Sequence, residues 1–212
     1  MNKKGIELTV NFIVVLIIGI AMLGGALMLT SKLFSQAEKY KATVDVNTQN
    51  EIRKLITDSD DLVVIYPSRK IISRTKSYNF GIGVQNTIEG RDSAKFALAV
   101  TLSSAVDKEN NEICKAPYGN GIFDCGNITN EWIVLGSTLD IKKNEIETFA
   151  MPVTVEKKAP SGLYIFNVCV CYDYNLGSPE CKDSQGRYAQ CEPGTTIVNS
   201  YGNINKIYVQ VT

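Results

Sequence analysis

The six cysteines are the residues of this sequence whose chemistry depends most on their spacing. They all lie in the second half of the chain, at Cys114, Cys125, Cys169, Cys171, Cys181 and Cys191. A zinc ribbon needs two CxxC pairs and a thioredoxin-like site needs one, whereas this chain has a CxC pair and four single cysteines. An even number of cysteines in an exported domain instead favours disulfide bonds.

Strand geometry predicts how the cysteines pair. Cys114 and Cys125 flank a glycine-rich loop, and a disulfide between them would close it. Cys169 and Cys171 are two residues apart on a predicted strand, so their side chains share a face and cannot easily bond to each other. Each is therefore expected to bond to one of the two remaining cysteines, and which bonds to which stays open.

Other chemistry has little support in the sequence. The chain has no histidine, which excludes Ser-His-Asp and Cys-His nucleophile pairs and an HExxH zinc helix. The alternating oxygen ligands at Asp107, Glu109 and Asn111 lack the glutamate that completes an EF-hand loop, so a polar turn is the favoured interpretation. No catalytic set, metal site or cofactor site emerges, and we predict that the protein is not an enzyme.

The charge balance of the chain argues against one class of partner, nucleic acid. The 22 basic residues balance the 22 acidic ones, and no basic cluster stands out in the sequence, so no nucleic-acid partner is predicted.

One complete N-x-Thr sequon, Asn127-Ile128-Thr129, lies in a predicted loop. Asn127 is therefore a candidate glycosylation site if the domain is exported.

Residues 12–29 form an apolar segment without a charged residue. Eleven of these eighteen residues are Leu, Ile, Val or Phe, which favour bilayer insertion by about 5 kcal/mol in total. As a helix the segment would span about 27 Å, close to the thickness of a bilayer core. Because Lys3 and Lys4 precede it, residues 31–212 are predicted to lie outside the cytoplasm. The protein is then membrane-anchored or incorporated in a filament.

The leader in front of the apolar segment reads Lys3-Lys4-Gly5, followed by Ile6 and Glu7. It resembles the class III signal peptide of archaeal type IV pilin-like and archaellin-like proteins, in which a prepilin-type peptidase cuts after the glycine. The resemblance covers the first 30 residues and implies cleavage between Gly5 and Ile6. It departs from bacterial pilins, whose fifth mature residue is an assembly glutamate, because Glu7 would be second. Glu7 is either an assembly residue or a carboxylate that stabilises the helix N-terminus.

Small residues in the apolar segment suggest a helix-packing face. Ala21 and Gly25 are four residues apart, a spacing that allows a second helix to approach closely. Small residues are also common in membrane helices that pack against nothing. We predict self-association through this face, in a helix that continues from about Ile6 to beyond Leu33.

The hydrophobic period changes after the membrane segment. Helical spacing over residues 31–60 predicts a stalk helix or linker that is weakest at residues 43–48, with a stop at residues 57–61. From Leu62 onward the alternation has period two and predicts strands at 62–66, 78–84, 96–102, 132–135, 149–155, 164–172 and 207–211.

Strands without an interleaved helical pattern favour an antiparallel two-sheet sandwich over a parallel βαβ sheet. The segments at 78–87, 94–102 and 159–170 resemble strands of immunoglobulin-like surface domains. The predicted architecture is an N-terminal transmembrane helix followed by an all-β, immunoglobulin-like antiparallel β-sandwich. Its parts are a basic leader (1–5), the transmembrane helix (6–30), the stalk helix or linker (31–60) and the disulfide-containing sandwich (61–212).

Two functions from different classes fit this architecture. The first is a structural subunit of an extracellular pilus- or archaellum-like filament, with the helix in the core and the sandwich exposed. The second is a single-span, membrane-anchored surface protein whose sandwich is a binding module. They differ in whether a peptidase processes the chain after Gly5 and whether the chain polymerises.

Overall fold

A computed structural model describes residues 15–18, 20, 22, 44–115, 125, 128–136, 138–173, 181–183, 191 and 197–212. The chain divides into two units, Met1–Lys41 and Ala42–Thr212. In the first unit, the six described positions between 15 and 22 are helical. Within the described part of the chain, no helix is both long and apolar enough to cross a membrane. The predictions for Gly5, Ile6, Glu7, Ala21 and Gly25 lie outside the described residues.

The second unit is mostly β-structure. Its described helices are α1 (Val46–Ser59) and α2 (Ile128–Trp132). Its described strands are β1 (Val63–Tyr66), β2 (Arg69–Ile72), β3 (Ser77–Gln85), β4 (Ser93–Val106), β5 (Glu112–Lys115), β6 (Leu139–Lys142), β7 (Ile146–Thr154), β8 (Gly162–Asp173), β9 (Lys182–Asp183), β10 (Ile197–Val198) and β11 (Ser200–Val211).

Two sheets pack over one hydrophobic core. The small sheet has the strand order β1-β3-β7, and the large sheet has the order β2-β11-β8-β4-β5 with β6 also on β4. Alternate residues of both sheets point into this core, including Phe80 and Ile82 from the small sheet and Phe96, Phe166 and Val209 from the large one. Strands β9 and β10 form a separate two-stranded sheet. The predicted two-sheet sandwich is thus confirmed at the level of its layers.

One strand pair departs from the predicted antiparallel arrangement, because β2 runs parallel to β11. Only Pro67 and Ser68 separate β1 from β2, and β1 belongs to the small sheet while β2 belongs to the large one. The chain therefore crosses between sheets without a hairpin turn and keeps its direction. Alternation along a strand cannot reveal such a crossing.

Helix α1 occupies part of the segment predicted as a stalk or linker, but it packs on the small sheet. The Asp45 carboxylate caps its first turn by accepting from the Thr48 backbone N–H at 3.0 Å. The helix ends at Ser59, inside the predicted stop, and Asp60 adopts the left-handed conformation that often ends a helix. Ile52 and Ile56 are buried, so α1 forms a third layer over the small sheet.

Glycines on β3 make room for this helix. Phe80, Ile82 and Val84 face the sandwich core, whereas Gly81 and Gly83 face α1. A Cβ atom added at Gly81 would lie 2.6 Å from Ile52 Cδ1, and one added at Gly83 would overlap the Ile52 side chain. The glycines therefore allow a closer approach of helix and sheet than any side chain would.

We expect Gly83→Ala to destabilise residues 42–212 by about 1–3 kcal/mol, the usual cost of overpacking a filled core. The control is Gly136→Ala, where the nearest atom to an added Cβ is Ala150 O at 3.9 Å. This control should be neutral or slightly stabilising. Chemical denaturation followed by circular dichroism measures both, and equal midpoints for the two variants would show that the contact with α1 is loose.

The predicted strand at residues 132–135 is wrong. Residues 128–132 form helix α2, and only Ile133 makes a β-bridge, to Val153. One helical turn places Ile128 and Trp132 on the same face, and both are fully buried. Residues four apart on a strand also share a face but lie about 13 Å apart, so the helical turn is what brings Ile128 and Trp132 next to each other.

Candidate functional site

The three disulfides confirm the predicted cysteine pairs. Cys114 bonds to Cys125 with a Cα–Cα distance of 6.0 Å. Of the two pairings that the sequence left open, the structure has Cys169 bonded to Cys191 and Cys171 bonded to Cys181, at Cα–Cα distances of 5.8 Å and 5.4 Å. Three disulfides in one domain indicate that it resides in an oxidising environment.

Two of these disulfides hold a small lobe, of which residues 181–183, 191 and 197–198 are described, on the outer face of the large sheet. Cys169 and Cys171 point away from the sandwich core and join a second hydrophobic cluster with Ile197 and the two partner cysteines. The lobe is also hydrogen-bonded to β4, because the Cys191 N–H donates to Thr101 Oγ1 at 3.0 Å. As a result β8 is buried on both faces from Phe166 to Cys171, although its alternation predicts a half-buried strand.

Asn167 lies on this covered face and is 1% exposed. Within the described part of the chain, its Oδ1 has no hydrogen-bond partner. The lobe thus covers a polar side chain as well as the two disulfides.

The sequon can be located only in part, because Asn127 lies outside the described residues. Its third residue, Thr129, belongs to α2, and its Oγ1 accepts from the Leu102 backbone N–H at 3.2 Å. The Cys114–Cys125 bond lies just before α2, and the Ile128 N–H donates to Cys125 O at 3.4 Å. The sequon therefore begins two residues after a disulfide-bonded cysteine, and glycosylation of Asn127 stays a prediction.

The acidic turn after β4 is held by hydrogen bonds among its own residues. Asp107 Oδ1 accepts from the backbone N–H groups of Glu109 and Asn111 at 2.8 Å and 2.9 Å. Its Oδ2 accepts from Asn111 Nδ2 at 3.0 Å, and these bonds hold the pKa of Asp107 below its usual value. Among the described residues, no group of three or more acidic, cysteine or histidine side chains could hold a metal ion.

A cleft of about 330 Å³ lies beside the start of α1. It is lined by Val44, Asp45, Ser77, Tyr78 and Asn79. The hydrogen bond from the Thr48 N–H lowers the pKa of Asp45, whose carboxylate is engaged in the helix cap. Burial raises the pKa of Tyr78, so its hydroxyl is a neutral hydrogen-bonding group.

Lys70 gives this cleft a positive neighbour, since its Nζ lies 4.4 Å from the centre of the Tyr78 ring. None of the residues around the cleft is among the site residues predicted from the sequence. A useful signal was Asp45 three residues before Thr48 at the start of a helical pattern, which is typical of a helix cap. The surface that this cap helps to build depends on β2 and β3 and has no local sequence signal.

No protein-family model and no curated protein matches the chain. Among solved structures, a family 123 glycoside hydrolase from Clostridium perfringens has a TM-score of 0.36 and 11% identity over 68% of this chain and 22% of that one. The Pseudomonas fluorescens alkylpurine DNA glycosylase AlkC has a TM-score of 0.35 and 9% identity over 78% of this chain and 35% of that one. Toxic shock syndrome toxin-1 has a TM-score of 0.29 and 12% identity. This chain spans about a fifth and a third of the first two structures, and similarity of this degree carries no argument about function.

Proposed function

We propose that the protein is a structural subunit of an extracellular filament of the archaeal type IV pilin-like or archaellin-like kind. In this proposal the apolar N-terminal helix forms part of the filament core and the β-sandwich is the exposed head. The observation that carries it is the order of segments: a Lys-Lys-Gly leader, an uncharged apolar run and then a disulfide-bonded β domain. A leader peptidase acting at Gly5 would keep the apolar helix on the mature chain.

The internal order of the head supports an immunoglobulin-like topology. Strands β1, β3 and β7 take the places of strands A, B and E in that fold, and β4, β8 and β11 take those of C, F and G. The Tyr164 hydroxyl donates to Pro160 O at 2.9 Å, four residues upstream, as in the tyrosine corner of such domains. A head of this kind suits an exposed position, because its disulfides and closed core resist unfolding outside the cell.

Cleavage at Gly5 is the decisive test of this proposal. Produced in a host that has a prepilin-type peptidase, the mature protein should begin at Ile6, as determined by N-terminal sequencing, and surface filaments should contain it. Gly5→Val should leave the chain uncut and the filaments absent, because the peptidase needs a small residue before the cut.

The control is the unchanged chain in a host without the peptidase, which should also stay uncut. A wild-type protein that begins at Met1, inserts in the membrane and forms no filaments would contradict the subunit. That outcome would favour the alternative, a membrane-anchored surface protein whose sandwich binds a partner.

A further inference from the structure

The head has a basic end that two distant segments build together. Residues 69–76 and 155–161 contain six basic residues and one acidic residue, and Arg69, Lys70, Lys76, Lys157 and Lys158 are exposed. The Thr75 N–H donates to Val155 O at 2.8 Å, and the Val155 N–H donates to Lys76 O at 3.0 Å. Because these bonds join the two segments, their positive charges share one surface.

Arg74 strengthens the same junction. Its Nε donates to Ala159 O at 2.7 Å and its Nη2 donates to Ser161 Oγ at 2.8 Å. The guanidinium group is held between the two segments, so their relative position is fixed. We call residues 69–76 and 155–161 the basic end.

An acidic end is built in the same way from residues 58–61, 86–92 and 142–145. These segments contain six acidic and three basic residues. The Asn86 N–H donates to Glu145 O at 3.0 Å, and the Lys143 N–H donates to Asp92 O at 2.8 Å. Asp58, Asp60 and Asp61 are exposed at the end of α1.

The two ends lie at opposite ends of α1 and β3. Lys76 directly precedes β3, where Val44 and Asp45 at the start of α1 line the cleft. At the other end, the Gln85 N–H donates to Leu62 O at 3.0 Å, just after the aspartates. A strand the length of β3 separates the ends by about 30 Å, well beyond the screening length of about 8 Å at physiological salt.

Acidic groups also lie near the basic end, but they do not cancel its net positive charge. The Asp45 carboxylate is engaged by Thr48, through both the backbone N–H and the hydroxyl. The acidic hairpin at residues 107–112 follows β4, from which β2 is separated by β8 and β11. The net charge of zero therefore conceals a separation of charge along α1.

We propose that the basic end of one head docks on the acidic end of a second copy of this chain. The partner is a second copy because both complementary surfaces belong to one molecule and point in opposite directions. Such a contact joins different surfaces on the two copies, so it repeats without closing and generates an open stack. This inference rests on the proposed filament function and names a contact between its subunits.

Charge-reversal variants of the full-length protein, kept soluble in detergent, test this docking. Sedimentation velocity would be measured at about 0.01 M and about 1 M salt, where the screening lengths are about 30 Å and 3 Å. The wild type should associate at low salt and dissociate at high salt. Lys157→Glu with Lys158→Glu, or Asp58→Lys with Asp61→Lys, should each weaken self-association at least about tenfold, because each change leaves its end with a net charge of only +1 and removes the complementarity between the ends.

Mixing these two variants should restore association between unlike chains, because the unchanged acidic end of the lysine variant can dock on the unchanged basic end of the aspartate variant. The matched control is Lys108→Glu with Lys206→Glu, which alters two exposed lysines outside both ends and should associate like the wild type.

Association that is absent in the wild type, independent of salt, or unchanged by the end variants would overturn the docking inference. Salt-independent association would assign self-assembly to the apolar helix and leave the filament proposal standing. The filament proposal itself fails on a different result, an uncut wild-type chain without filaments.

Discussion

Trp132→Ala is expected to lower the free energy of unfolding by about 3–5 kcal/mol, the usual range for a fully buried Trp. The Trp132 ring is 0% exposed, and its centre lies 4.7 Å from that of Tyr164 and 6.4 Å from that of Phe166. Removing it would leave a cavity where α2 meets the large sheet. Since the free energy of unfolding of a domain is only about 5–15 kcal/mol, this change would remove a large part of it.

Trp132→Phe separates loss of volume from loss of a hydrogen bond. Within the described part of the chain, Trp132 Nε1 has no hydrogen-bond partner, so phenylalanine removes volume alone. We expect this variant to lose less than half as much stability as the alanine variant. Both changes remove the single tryptophan, so unfolding should be followed by circular dichroism with the disulfides intact. Equal stability of the alanine and phenylalanine variants would contradict this expectation, because it would show that a phenylalanine ring recovers none of the lost packing.

Gly25→Leu is expected to abolish filament assembly while leaving membrane insertion intact. The added side chain would fill the small-residue face at Ala21 and Gly25 and prevent close approach of a second helix. Leucine also favours insertion, so the helix should still enter the membrane. Electron microscopy counts the filaments, and resistance of the protein to alkaline extraction measures insertion.

Gly19→Leu is the matched control for this experiment. Position 19 lies about 120° around the helix from position 25, so the same substitution there adds bulk away from the proposed contact face. We expect filaments with Gly19→Leu and none with Gly25→Leu. Unchanged assembly in the Gly25 variant would remove the helix-packing hypothesis, and with it the role proposed for Ala21.

Local alternation predicted the strands well where one face of the strand meets the core. Phe80, Ile82 and Val84 alternate with small or polar residues, and the structure places all three in the core. The positions of Cys169 and Cys171 on one face followed from the same period of two. These predictions succeeded because they depend only on residues that are close in the sequence.

Predictions that depended on distant residues were incomplete or wrong. The segment at residues 132–135 has strand-like composition, yet residues 128–132 form a short helix whose Trp132 ring packs against Tyr164. Gly81 and Gly83 occupy ordinary strand positions in the sequence, and only the approach of Ile52 explains why they have no side chain. In each case the deciding contact joins segments more than 25 residues apart.

The sequence by itself determined the β-rich class of residues 62–212, most strand positions, the end of α1 and the sets of cysteines that could pair, because each follows from the local pattern and spacing of residues. The tertiary structure decided the rest. Only in the tertiary structure does Cys169 bond to Cys191 and does α1 pack on the small sheet. The same holds for the parallel pairing of β2 with β11 and for the two charged ends. Those outcomes required the three-dimensional fold, because side-chain period fixes which face a residue occupies but not which distant segment will cover that face.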